Sequence, residues 1–373
     1  MKNIQSFILK KLSKVFTRIG LLFFALGFMG LSLSAQEVVK TSKKNSAEQR
    51  RFFAASSFWN QPIPENPEID PQNKHFITLL KREYSGAFFR INLTSWTIPV
   101  YDVDDTTPRF VVKKYALSEE EKKQWNTKRD TYGHGEAFDK EPIPIPLEAQ
   151  ADPQGDAHCA LVDWKNGIGW DMWGLFKNSD GSWTSKTGMK YSIDGDGIFS
   201  IKPFKIKNGE SIHYFGPSRA AGVPATAGLI MYDEIVSGEI NHKLACATRV
   251  NAYQEHVYPA IWTDGFIIGG IPEGAVIQLD PALDLSKFDL TPEEIVVAKA
   301  MQKYGMVVSD IAGSNTLYGE GLWSHPEKTW EEKLRGIGGI STIPLDHYRV
   351  LKINNRIKKG DSYTKIMHDH GMW

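Results

Sequence analysis

Most apolar residues fall in short runs closed by Gly, Pro, Asn or Asp, the pattern of strands joined by tight turns. Ala87 to Leu93, Trp96 to Val103, Arg109 to Leu117, His158 to Trp164, Ile168 to Phe176, Lys243 to Val250, His256 to Trp262, Ala275 to Leu279 and Tyr348 to Ile353 all read this way. So many short strands, at uneven spacing and with 32 Gly and 19 Pro in the chain, predict a mainly β protein. The expected form is an antiparallel β-sandwich or jelly roll with a few accessory helices, not alternating βαβ units.

Helical spacing is confined to a few places, each with a start signal. Asp70-Pro71 precedes Phe76, Leu79 and Leu80. Ser118 with Glu121, and Thr291-Pro292-Glu293-Glu294, are capping boxes, in which hydroxyl and carboxylate satisfy each other's free amides. Val297, Met301 and Tyr304 share one face of a helix that stops at Gly305. Ser324-His325-Pro326-Glu327 reads as the start of another, with Trp330, Leu334 and Ile337 at helical spacing.

The N-terminus follows a different rule. Lys2, Lys10, Lys11, Lys14 and Arg18 precede an apolar run from Leu21 to Leu33, and Ser34-Ala35 supplies the small residues of a cleavage site. The run is shorter than the roughly 20 residues a membrane span needs, so residues 1–35 are expected to be a signal peptide that leaves no membrane span after cleavage. Export to the periplasm or the medium follows. Residues 36–51 are polar and unpatterned and read as a flexible leader, which leaves 52–373 as a single β-rich domain. The Gly- and Lys-rich span from Asn178 to Gly209 reads as an excursion within it.

Removing residues 1–35 takes away five basic residues and no acid, so the balance of 44 basic to 44 acidic becomes 39 to 44. A nucleic-acid partner is not expected of a mildly acidic chain with no basic stripe. Cys159 and Cys246 are the two cysteines; in an oxidising compartment they form either one bridge or two inert thiols. No cofactor or metal is expected, because clusters with metal-ligand spacing are absent. Nucleophile-elbow, H-E-x-x-H, phosphate-loop and dinucleotide motifs are absent as well.

Four stretches could carry chemistry. Trp164, Trp170, Trp173 and Trp183 are closely spaced, and an indole offers its flat face to a sugar ring; core packing is the competing reading. On an extended Ile168 to Trp173, Asp171 and Trp173 would share one face and Trp170 and Met172 the other. Asp156 and His158, two residues apart, would project to one side of a strand, where a carboxylate can orient an imidazole for acid–base work. The alternative is a polar strand entry with a surface histidine. The small-residue segment from Ser218 to Ile230 contains Arg219, a rigid fork of donors for a carboxylate or sugar hydroxyls, and His242 follows it. Finally, Tyr304 and Asp310 flank a junction between helix and strand, where cleft residues often lie.

The string S-R-A-A-G-V-P-A-T-A-G-L-I, then D-E-x-x-x-G-E-I-x-H, Tyr258-Pro259-Ala260 and Y-G-M-V-V-S-D, resembles a group of secreted bacterial β-rich proteins of unassigned activity, over roughly residues 56 to 351. The resemblance implies a single unit and matches Asp156, His158, Asp171, Arg219, His242, Tyr304 and Asp310 to it; it implies no reaction. From the residues themselves, the leading expectation is a glycoside hydrolase that cleaves a polysaccharide or oligosaccharide with paired carboxylates, with Trp170, Trp173 and Trp262 as the binding platform. Two alternatives stand beside it: a polysaccharide lyase using His, Tyr and Arg, and a non-catalytic carbohydrate-binding or envelope protein.

Overall fold

Two strands are buried on both faces, and they organise the molecule. In Cys159–Asp163, Cys159 and Leu161 join one core cluster and Ala160 and Val162 another. In Leu244–Thr248, Leu244 and Cys246 face one cluster and Ala245 and Ala247 the other. The cluster common to both strands contains Ile98, Val100, Ala160, Val162, Ala245, Ala247 and Tyr318. Side chains alternate along a strand, so one face of each of these strands contributes to a shared core, with alanine on both strands. The computed structural model describes residues 50–82, 87–124, 130–199 and 219–358; the predicted signal peptide and residues 36–49 of the leader lie outside them.

The first sheet runs Arg90–Asn92, Thr316–Tyr318, Leu244–Thr248, Met306–Ile311, Val276–Leu279, Tyr348–Val350. The second runs Glu320–Gly321, Ile98–Asp102, Cys159–Asp163, Ile168–Trp173, Thr187–Ser192, Gly133–His134. The sheets are joined at one edge, since Thr316–Tyr318 continues directly into Glu320–Gly321, and Arg90–Asn92 leads through a short loop into Ile98–Asp102. Strands are the dominant regular structure and helices are few. The expectation of antiparallel pairing needs correction, because both sheets are mixed. Leu244–Thr248 runs parallel to Met306–Ile311, and Ile98–Asp102 parallel to Cys159–Asp163, while Ile168–Trp173 runs antiparallel to both its neighbours. The parallel pairs are possible because long connections return the chain to the same end of the sheet.

The outer face of the first sheet is covered by Asn73–Leu80 and Pro292–Lys303. The second helix begins as its sequence requires: the Thr291 hydroxyl accepts from the Glu294 amide at 3.1 Å, and Glu294 Oε2 accepts from the Thr291 amide at 2.9 Å. Thr291→Ala is expected to cost about 1 kcal/mol, a fall of a few degrees in melting temperature by calorimetry; an unchanged melting temperature would show the cap to be redundant. Ser118 and Glu121 form the other predicted box.

Three local expectations change. The segment after Ser324 forms no helix: a 3-10 turn at Leu322–Ser324 gives way to turns, Trp330 and Leu334 are buried, and Ile337 is 63 % exposed. Pro326 and the glycines at 336, 338 and 339 break the pattern there. The strand expected at His256 to Trp262 lies earlier, at Asn251–His256, and the chain turns through a cis Tyr258-Pro259 bond. In the supposed excursion, Thr187–Ser192 pairs residue for residue with Ile168–Trp173 and belongs to the second sheet; residues 200–218 lie outside the described residues. Both cysteines are free and buried, on different sheets. Among the described residues no helix is long and apolar enough to cross a membrane.

Candidate functional site

A bulge at the end of one strand creates the site. Along the parallel pair, Cys246 faces Val308 but Ala247 faces Asp310, so Ser309 is the extra residue. A bulge bends the strand and re-aims the side chain that follows it. It also frees the Ser309 carbonyl to accept the Ala221 amide at 3.0 Å, which docks the small-residue segment between the sheets. Ala221, Val223, Ala225 and Ala227 are fully buried there. Gly228, at φ +71°, passes so close to the neighbouring strand that a Cβ would lie 2.3 Å from the Ala245 nitrogen, so no larger residue fits.

That segment carries Arg219, 1 % exposed, with its guanidinium carbon 4.0 Å from the centroid of the Tyr318 ring. One amino group donates to the Ala225 carbonyl at 3.2 Å, and the Ala225 amide donates to Asp171. The backbone of a single residue, Ala225, therefore links the cation to the buried carboxylate. Asp171 also accepts from the Tyr191 hydroxyl at 2.9 Å, and that hydroxyl meets Thr226 at 2.9 Å. Burial raises the Asp171 carboxyl to about 7 against the pull of these donors. With no exposed surface and both oxygens engaged, Asp171 positions the Arg219 segment.

Asp156 and His158 do lie together, at 4.0 Å between carboxylate and Nε2, but not on an extended backbone. Ala157 between them has φ +44°, and this left-handed residue folds the turn so that the side chains converge. Asp156 is open to solvent and accepts from the Trp173 indole at 3.3 Å. His158 is buried, its Nδ1 has no partner among the described residues, and burial holds its pKa below the usual value despite the nearby Asp156 carboxylate. A neutral imidazole is thus presented beside an ionisable acid.

Three further acids complete the group. Asn251 donates from its amide nitrogen to Glu273 Oε1 at 2.8 Å and to the Asp310 carbonyl at 2.7 Å. The other Glu273 oxygen meets no N–H or O–H donor among the described residues, and its neighbour is the carboxyl of Asp264. Asp264 and Glu273 therefore neighbour each other as a carboxyl pair in which ionising Asp264 disfavours ionising Glu273. Burial raises Glu273 well above the ordinary range, with the Asp264 charge adding to it, and burial together with the Asp264 charge raises Asp310 as well. Desolvation of its carboxyl and the Asp156 charge raise Asp264 to about 6, while its contact with Glu273 pulls it down. Glu273 is fully buried while Asp264 reaches solvent. Among the described residues no three His, Cys, Asp or Glu side chains are placed to hold a metal ion.

The structure thus brings Asp156, His158, Arg219 and Asp310 into one electrostatic group, with Asp171 behind Arg219. It separates His242 and Tyr304 from them. Both lie at the opening ends of Leu244–Thr248 and Met306–Ile311, whereas Asp310 lies at the closing end, a strand length away at roughly 3.3 Å per residue. His242 pairs with Glu234 at 3.0 Å and Tyr304 donates to Asn241 at 3.1 Å. Burial disfavours charge on His242, but the Glu234 carboxylate outweighs it and raises the pKa, as befits a structural ion pair.

Of the platform residues, Trp170 is 1 % exposed in the outer core of the second sheet and presents no face to a ligand. Trp173 is half-buried with the Lys186 ammonium 5.0 Å over its ring, and Trp262 is half-buried two residues before Asp264. Asp264, Glu273, Asn251 and Tyr318 are absent from the sequence-based candidates. Glu273 was detectable as a lone acid within the Gly-rich apolar run Ile267 to Ile277. Comparison with known proteins finds no matching family model, no matching curated protein and no matching solved structure.

Proposed function

We propose that the chain is an exported glycoside hydrolase that cleaves a polysaccharide in a cleft formed beside these carboxyls, with the two sheets stacked as a β-sandwich. The observation that carries the reading is the buried Glu273 carboxyl, neighbouring Asp264, in the same group as the solvent-open Asp156. Glycoside hydrolysis needs one carboxyl that still holds a proton near neutral pH and one that does not. The Asp264–Glu273 pair supplies the first, because burial and the neighbouring Asp264 charge hold a proton on Glu273, and Asp156 serves as base or nucleophile. Arg219 and Asn251 fix the floor on which the two stand.

Elimination on a uronic acid is a second reading, favoured by the pairing of Arg219 with a neutral His158. The excess of acids counts against it: Asp156, Asp264, Glu273 and Asp310 outnumber the single guanidinium, and whichever of them ionises would repel an anionic sugar. Both readings are tested by incubating the mature protein with neutral and uronate polysaccharides. Hydrolysis releases reducing ends with no unsaturated-uronate absorbance, and Asp156→Asn or Asp264→Asn is expected to slow it about a hundredfold. Unsaturated products would replace this mechanism with elimination. Binding without turnover on the whole panel would leave a carbohydrate-binding protein.

A further inference from the structure

Trp96 stands out because it is both exposed and held rigidly. Its side chain is 45 % exposed and its backbone sits at φ +55°, a conformation that is unfavourable for a bulky residue and persists only where neighbours impose it. They do so here. The Trp96 carbonyl accepts from the Asn92 amide at 3.2 Å. The next residue, Thr97, is fully buried and gripped through its amide at 2.9 Å and its hydroxyl at 3.1 Å by the Asp152 carboxylate. Asp152 belongs to the same turn as Asp156 and contributes to the field at His158. The indole is therefore locked to the frame that carries the candidate base.

Its position relative to the cleft is fixed by Gly155. A Cβ on that residue would lie 4.0 Å from the tip of the Trp96 ring, so the indole borders the Asp156 turn. On its other side, Thr94 and Ser95 line a groove of about 990 Å³, together with Gln150, Trp323 and Pro326. The groove lies beside the carboxyl group and not over it. Its wall is tied to the same frame, since a Cβ on Gly321 would meet Thr97 on one side and the Trp323 ring on the other, each at 2.6 Å. Neutral amides and hydroxyls with an indole face, and charges of both signs from Arg90, Lys328 and Glu331, suit a polyhydroxylated chain without strong charge of its own. The volume is at the upper end for ligand sites.

We infer that Trp96 is a sugar-stacking platform at the exit of the cleft, and that the adjoining groove holds the part of a neutral polysaccharide chain extending beyond the bond being cut. This rests on the hydrolase reading, and it adds a binding site that reading does not need. Stacking on Trp96 acts away from the reacting bond, so its loss should weaken capture of long chains and leave the cutting of short ones alone.

The test is Trp96→Gly in the full mature protein, a replacement that removes the indole and suits the left-handed backbone, with Trp96→Phe as the conservative partner. Migration is followed in native gels containing xyloglucan, mixed-linkage β-glucan, galactomannan or alginate, and turnover is measured on a polymer and on its short oligosaccharides. The expected result is retardation by a neutral polymer that weakens about tenfold, roughly 1.4 kcal/mol, in Trp96→Gly and is recovered in Trp96→Phe, with oligosaccharide turnover and melting temperature unchanged. Wild-type retardation and polymer turnover in Trp96→Gly would overturn the inference while leaving the hydrolase reading intact. No retardation and no turnover of wild type on any of the four would overturn both, and retardation by alginate alone would overturn the assignment of a neutral chain.

Discussion

Arg219→Met is expected to lower the unfolding free energy by about 3–5 kcal/mol, because removing one partner of a buried charged group strands the others. Arg219 is fully enclosed, donates to the Ala225 carbonyl and stacks on Tyr318. Its charge also lowers the proton affinity of Asp171 and Asp310, which burial has raised. Without it those carboxyls hold their protons to higher pH, so the penalty is smallest where they are protonated in any case. Urea unfolding of wild type and variant at pH 5 and pH 8 should therefore show the larger loss at pH 8. Equal losses at both values would mean that Arg219 acts by packing alone. Lysine should not rescue, since it lacks the planar fork that stacks on one ring and bonds a carbonyl in the same plane.

What the sequence disclosed of this arrangement depends on how local the cause is. The capping boxes at Ser118 and Thr291 were legible because both partners lie three residues apart. The strands through Cys159–Asp163 and Leu244–Thr248 were legible as apolar runs, since strands buried on both faces carry little else. The class of sheet was not, because parallel pairing is decided by where long connections return the chain. Asp156 and His158 were singled out for an extended backbone that does not exist; they meet because Ala157 takes a left-handed conformation, for which alanine gives no signal. His242 and Tyr304 drew attention by their proximity in sequence to Arg219 and Asp310, yet they lie at the other ends of strands whose direction no single segment reveals. Asp264 and Glu273 were missed for the converse reason. Eight residues lie between them, and only the turn at Gly269 and Gly270 and the pairing of Ile271–Glu273 with Asn251–His256 make them neighbours.

The same buried acids set how the fold responds to pH, and wild-type stability is expected to fall as pH rises from about 5 to about 7.5. Asp171 and Glu320 are each raised to about 7 by burial, and Asp264, Glu273 and Asp310 are raised also. In the unfolded chain these groups ionise near pH 4. Between that point and their folded pKa values the native state binds more protons than the unfolded one, so each step up in pH favours unfolding. His242 acts in the same direction above about 6.5, because Glu234 raises it. His134 and His158, lowered by burial, oppose the trend below that value, but they are two groups against five. Asp171→Asn isolates one contribution. The amide imitates the protonated acid, can accept from the Ala225 amide and can donate to the Tyr191 hydroxyl, and it does not titrate. Its stability should decline less steeply by about one proton, roughly 1.4 kcal/mol per pH unit, across the range between pH 5 and 7. Calorimetric melting temperatures in a series of buffers read this directly: a wild-type profile that is flat or rises over the interval, or an Asn variant that follows the wild type throughout, would show that Asp171 keeps an ordinary proton affinity inside the fold and that Arg219 fully neutralises it.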